Sequence, residues 1–288
     1  MAYLDEISES TEDKLRRIAK QYASQLPALQ SYIMRWIREN RGEDRLLRGQ
    51  VSMELVYAII DRAGANKYFQ TDPYFNLATA ASRAQMEALG IVGSGLETPS
   101  VRALEAALGG TGLDFLRDAA KATADLQLKR IRDNIALQTQ QILVQMQTVP
   151  TPLSVASGQL AAVSNLSKKQ ARTVMNTALS AQVQTMQLHA GEQMEKAGIP
   201  TLYVYSGPQD AKGRQQRPFC QVLVGKAFTK KQIAALNNNQ GLSVATHGGG
   251  YNCRHEWLSV PATYVKKAGI PRGTRKDIEK ANKLAKRR

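Results

Sequence analysis

Cysteine is scarce in this chain. Cys220 and Cys253 are the only two among 288 residues, which argues against a disulfide scaffold in a reducing compartment. No Cys-x-x-Cys pair occurs, so the spacing of a zinc finger or ribbon is absent as well. No apolar run approaches the roughly 20 residues that span a bilayer, and no membrane contact is expected. The start, MAYLDEISESTEDK, is acidic and lacks the charged-then-apolar pattern of a secretory signal. The protein is therefore expected in a cytosol, or in something assembled there. Acidic side chains are in deficit: 24 Asp and Glu face 39 Lys and Arg, for a net charge of +15 and a pI near 9.9. Nowhere do the carboxylates cluster as a metal-dependent nuclease would need.

With 43% hydrophobic and 22% charged residues, the composition is that of a globular protein able to bury one large core or two ordinary ones. The positive excess favours contact with nucleic acid or another polyanion, the alternative being a basic surface kept for solubility. It is uneven, for residues 261–288 hold ten Lys or Arg against Asp277 and Glu279. Lys266, Lys267, Arg272, Arg275, Lys276, Lys280, Lys283, Lys286, Arg287 and Arg288 are candidates for phosphate contacts without sequence specificity. They lie on a basic tail, 263–288, expected to stay mobile until it meets phosphate.

The periodicity predicts a mainly α protein: an elongated N-terminal helical region with a long helical hairpin, then a small α+β module and the tail. In residues 1–110, Ser10-Thr11-Glu12-Asp13 offers a helix start with acidic residues in the first turn. Behind it Leu15, Ile18, Tyr22, Leu26, Leu29, Ile33 and Trp36 form one apolar stripe. Pro27 predicts a kink or break, Gly42 an end, and Gly93-Ser94-Gly95 and Gly109-Gly110 further breaks. Shorter helical patterns cover Met53–Ala63 and Phe75–Leu89. In residues 111–199 one long helix runs from about Leu113 to Met146, is stopped by Val149-Pro150-Thr151-Pro152, and is followed by a second over Ser167–Ala197. Their Gln, Thr and Ala content leaves room for partner contacts, although a core role for the stripe is the simpler reading. The character changes at Pro200. In residues 200–262, Thr201–Tyr205 and Glu256–Val260 read as strands, with a short helix around Thr229–Leu236 between them.

Within this module, Cys253 and His255 stand two apart, so an extended segment sends both side chains to one face. The glycines Gly248 to Gly250 before them let the backbone approach something closely. With Cys220 and either His247 or Asp210 a four-donor cluster can be drawn, and two Cys with two His suit tetrahedral zinc. The alternative is that both cysteines are small buried residues and His255 is bonded locally.

The ordered pieces Tyr205-x-Gly207-Pro208-x-Asp210, Arg217-Pro-Phe-Cys220, Gly225-Lys226-x-Phe228, then Gly248-Gly249-Gly250-Tyr-Asn252-Cys253-Arg254-His255-x-Trp257, resemble the C-terminal domain of phage minor head proteins of the Mu F-like type. The resemblance covers about sixty residues and extends loosely over the preceding helix. There this chain reads Asn176-Thr177-Ala178 where relatives often carry Arg-Thr-Glu, and its interval from Asp210 to Arg217 is longer. The resemblance implies a head component present at low copy. It would sit at the portal vertex or capsid interior, meet the portal or major capsid protein and packaged DNA, and aid head assembly, DNA packaging or delivery. It places the protein in the virion, and in the host cytoplasm during assembly. The competing reading is a nuclease or other hydrolase using His247, His255, Arg254, Asp210 and Arg217 as an acid–base and phosphate-binding set.

Overall fold

In a computed structural model the chain is mostly helical, with a small three-stranded antiparallel sheet near its C-terminal end, as the periodicity predicts. The structure describes residues 2–25, 29–64, 70–93, 111–207 and 217–286. Leu26, Pro27, the glycine breaks at 95 and 109–110, Pro208, Asp210, Arg287 and Arg288 lie outside the described residues. Six helices come first: α1 (Ala2–Gln25), α2 (Leu29–Glu39), α3 (Met53–Arg62), α4 (Asp72–Gly93), α5 (Thr111–Thr148) and α6 (Leu153–Lys196). The chain divides into two compact units. One comprises Met1–Ile18, Tyr74–Lys121 and Asn176–Arg288, the other Ala19–Pro73 and Ala122–Met175.

The apolar stripe of the first two helices is buried at Leu15, Ile18, Tyr22, Leu29 and Ile33, with Ile37 completing it while Trp36 stays half-buried. Ser10 and Thr11 do not start a helix, because α1 already runs from Ala2. Nothing between Ala2 and Ser10 stops it, there being no Pro or Gly.

In the all-helical unit, α3 begins at Ser52, whose hydroxyl accepts from Leu55 N–H. Tyr57 donates to Asp133 at 3.0 Å and Arg132 pairs with Asp61 at 2.7 Å, tying α3 to α5. Helix α6 starts directly after Pro152, well before Ser167. Buried Ala156, Leu160, Ser164, Ser167, Ala171 and Met175 recur at steps of three and four through the added length.

In the other unit the glutamines of α6 turn inward. Gln182 donates to Thr79 Oγ1 on α4 at 2.7 Å. Gln187 donates to Gln85 at 2.9 Å and accepts from Ser259 Oγ at 3.0 Å, while Gln85 donates to Glu256 at 2.7 Å. These bonds satisfy Gln85 and Gln187, while Gln182 Oε1 and both amide atoms of Gln184 are buried with no hydrogen-bond partner among the described residues.

The sheet belongs to this unit. After α6 come β1 (Thr201–Ser206), α7 (Pro218–Leu223), β2 (Ala227–Phe228), α8 (Lys230–Ala234), α9 (Val244–His247) and β3 (Glu256–Pro261). The strand order is β2-β1-β3, with Tyr205 opposite Trp257 and Tyr203 opposite Phe228. Alternation sends Tyr203, Tyr205 and Trp257 to one face and Leu202, Val204, Leu258 and Val260 to the other, and each face has its own core cluster.

The basic segment 263–288 is not a mobile tail over its described length. It forms most of α10 (Ala262–Lys267) and α11 (Arg275–Ala285). Ile278, Ala281 and Ala285 enter the core on the tyrosine face, and Val265 and Ile270 enter the opposite one. The apolar residues between the charges, spaced three and four apart, make burial favourable enough to order it.

Candidate metal centre

Four separate pieces of chain build the site. β1 brings Tyr205, α7 brings Cys220, the loop after α9 brings Gly248 to Cys253, and the entry to β3 brings His255 and Trp257. Pro218 at the start of α7 replaces an amide that would have no helical partner, so that short helix begins where Cys220 is needed. Trp257 Nε1 donates to Val244 O at 2.9 Å and pins α9 against the sheet. Cys253 N–H donates to Gly250 O at 3.0 Å, closing a tight turn in which Asn252 has φ +53°.

The loop is held from outside by Asn238 and Gln240, which the motif does not include, and by Arg217, which it does. Asn238 donates to Gly248 O at 3.1 Å, and Gln240 accepts from Tyr251 N–H at 3.0 Å. Arg217 donates to Gly249 O at 2.6 Å and also to Tyr251 O. Thr177 on α6 accepts from Asn252 N–H at 3.4 Å. The Asn/Gly-rich composition around 237–241 was the available signal for these contacts, but it reads equally as a plain loop.

The outcome is a cluster of donors. Cys220, Cys253 and His255 bring their ligand atoms within 4.8 Å of one another and could hold a metal ion. Cys220 Sγ lies 3.9 Å from Cys253 Sγ, which lies 3.9 Å from His255 Nδ1. His255 is buried and its Nε2 has no hydrogen-bond partner among the described residues. Gly249 N–H donates to Cys253 Sγ at 3.1 Å, and Tyr205 Oη stands 3.5 Å from both sulfurs. The Tyr205 ring stacks on His255 at 5.3 Å and tilts against Trp257 at 4.4 Å.

The two thiols are pushed apart in acidity. The hydrogen bond from Cys220 lowers Cys253, with His255 and Tyr205 adding to it against the opposing effect of burial. Donating that hydrogen bond raises Cys220, as does burial. Burial holds Tyr205 well above the usual phenol range, so it stays neutral and can donate to sulfur. A cation placed between the two sulfurs would favour thiolates at both.

His247 is not a member of the cluster. Its Nδ1 faces Thr246 Oγ1 at 2.8 Å, because α9 ends there and Gly248, at φ +50°, turns the chain away. Of the residues considered for hydrolysis, Arg254 pairs with Glu12 at 2.7 Å and Arg217 is committed to loop carbonyls. Both act as struts. The DNA-contact candidates within the described residues, from Lys266 to Lys286, are all exposed. No family profile, curated protein or solved structure matches the chain.

Proposed function

We propose that the chain is a minor head protein of the Mu F-like group, placed at the portal vertex or capsid interior, where it contacts packaged DNA without reading its sequence and assists head assembly, packaging or delivery. One observation carries this reading: Tyr205, Arg217, Cys220, Gly249, Cys253, His255 and Trp257, dispersed through the ordered motif, come together around a single cluster. A motif whose pieces are dispersed in sequence and joined in space describes a module more specifically than any one piece.

The metal best suited to the cluster is zinc. Cys220, Cys253 and His255 would hold it. Tetrahedral Zn–S and Zn–N bonds of about 2.3 and 2.0 Å separate such donors by roughly 3.5–3.8 Å, close to the two 3.9 Å edges at Cys253, with all three donors within 4.8 Å. Its role would be structural, supplying binding free energy to a sheet of three short strands. Tyr205 and the Gly249 amide would stabilise the thiolate charge, as outer groups around a metal do.

Contact with DNA is supported by α11. Lys276, Lys280 and Lys283 share an arc of about 60°, directly opposite buried Ile278, Ala281 and Ala285. A rigid cationic stripe of this kind suits a phosphate backbone. The test of the whole reading is quantitative mass spectrometry of purified DNA-filled particles. We expect this polypeptide at low copy relative to the major capsid protein, and its absence from the particles would overturn the assignment to the head.

A further inference from the structure

In the all-helical unit, α5 and α6 leave an apolar stripe uncovered. Leu126, Leu137 and Val144 on α5 are 55%, 48% and 42% exposed, and Val155 and Leu166 on α6 are each 48% exposed. At 100° per residue the three α5 positions fall within about 20°, and Val155 and Leu166 also fall within about 20°. Single exposed leucines are ordinary, but two in-phase rows on adjoining helices are a surface feature.

The rows flank a groove lined from α5 by Arg130, Ile131 and Asn134 and from α6 by Lys169, Gln170 and Thr173. By the same helical geometry, Arg130 lies about 40° or less from each α5 row residue, and Lys169 about 60° or less from each α6 one. The charge along these two helix stretches is mostly positive. Residues 153–175 contain no Asp or Glu but hold Lys168, Lys169 and Arg172. In residues 122–148 the two carboxylates, Asp125 and Asp133, accept from Thr71 and Tyr57. Arg130 and Lys169 have no ion pair among the described residues.

We propose that this face is a docking surface for an acidic amphipathic helix of a partner protein. Two apolar rows beside a groove fit the i, i+3, i+4, i+7 face of such a helix. The cationic rim complements acidic residues along its flanks and repels a second copy of this face. Phosphate backbone would meet the cations but leave five aliphatic side chains without an apolar neighbour. The proposal rests on this unit's own surface and is independent of the metal centre and of a role in a phage head.

The test uses the full chain and a labelled synthetic peptide of about three heptads, with Leu at the apolar positions and Glu on the flanks. Its scrambled form, of identical composition and charge, controls for attraction to a basic protein. Fluorescence anisotropy is expected to show the ordered peptide binding at least about tenfold more tightly, a difference of some 1.4 kcal/mol. The paired change Leu137→Gln with Leu166→Gln should remove that preference. Arg130→Glu with Lys169→Glu, which alters no apolar side chain, should remove it too. Equal binding of the two peptides overturns the proposal. So does a wild-type dimer in sedimentation that the leucine variant dissolves, since the occupant would then be a second copy.

Discussion

At Gly249 an added Cβ would stand 2.4 Å from Cys220 Sγ and 3.4 Å from Cys253 Sγ, and at Gly248 it would stand 2.8 Å from Tyr205 Oη at a φ of +50°. The two glycines are therefore part of the site's geometry, since they let the backbone close to within a hydrogen bond of sulfur. Gly249→Ala is expected to push the sulfurs apart and weaken zinc binding roughly 10–100-fold, in the range seen when groups around a metal are disturbed. Competition against a chromophoric chelator measures this. An unchanged affinity would mean that the loop yields freely and that the close approach is incidental. Cys253→Ser, which removes a soft donor, should leave less than stoichiometric zinc by elemental analysis.

Helix α11 owes its place to both of its faces and to its first turn. Thr274 and Asp277 form a reciprocal capping box, and Asp277 also accepts from Lys226 Nζ at 2.7 Å. Burial works against the Asp277 charge, but the hydrogen bonds from Lys226 and Thr274 outweigh it and hold the carboxyl down at about 2, from an ordinary 3.8. A folded-state value below the unfolded one gives stability that is fully present above pH 4 or so and is lost as pH falls through about 2. Asp277→Ala should cost about 1–2 kcal/mol at neutral pH and flatten the acid limb of the stability profile, as read by urea denaturation at several pH values. The exposed face answers to a different measurement. Changing Lys276, Lys280 and Lys283 together to Gln should leave the fold intact. It should also reduce the dependence of log K on log salt for duplex DNA by about 0.9 for each phosphate no longer neutralised. An unaltered slope would remove α11 from the DNA interface. Deleting residues 272–288 is the wrong probe, because it strips Ile278, Ala281 and Ala285 from the core together with the charges.

For the molecule as a whole, a metal held by Cys220, Cys253 and His255 would share with the core the task of holding the sheet-bearing unit together. The sheet has three strands, one only two residues long, so metal binding at the cluster would add to its order. Stripping the metal with a strong chelator is expected to lower Tm by roughly 8 °C or more. The figure takes about 4 kcal/mol from metal at a thousandfold excess over Kd, and 2–4 °C per kcal/mol for a protein of this size. Restoring zinc should recover the original transition. A Tm indifferent to chelation would show the cysteines and His255 to be ordinary core residues.

Much of the fold follows from local chemistry and was legible in the sequence. Steps of three and four placed the long helices, alternation placed β1 and β3, and the Pro150–Pro152 pair separated α5 from α6. Such patterns depend on neighbours a few residues away, so a linear reading captures them. The charge of +15 was equally legible, being a property of composition. The trio Cys220, Cys253 and His255 was legible from spacing as well, but the place of His247 was not. His247 stood as an alternative fourth donor, and it falls outside the cluster because α9 ends at Gly248. The fate of the basic segment was likewise decided in three dimensions. Its lysines describe a solvated tail, and only the apolar sheet face waiting for Ile278, Ala281 and Ala285 makes ordering it favourable. Sequence determines what each segment can form, and the tertiary structure selects among its possible partners, because burial and donor distance depend on chain that lies far away along the sequence.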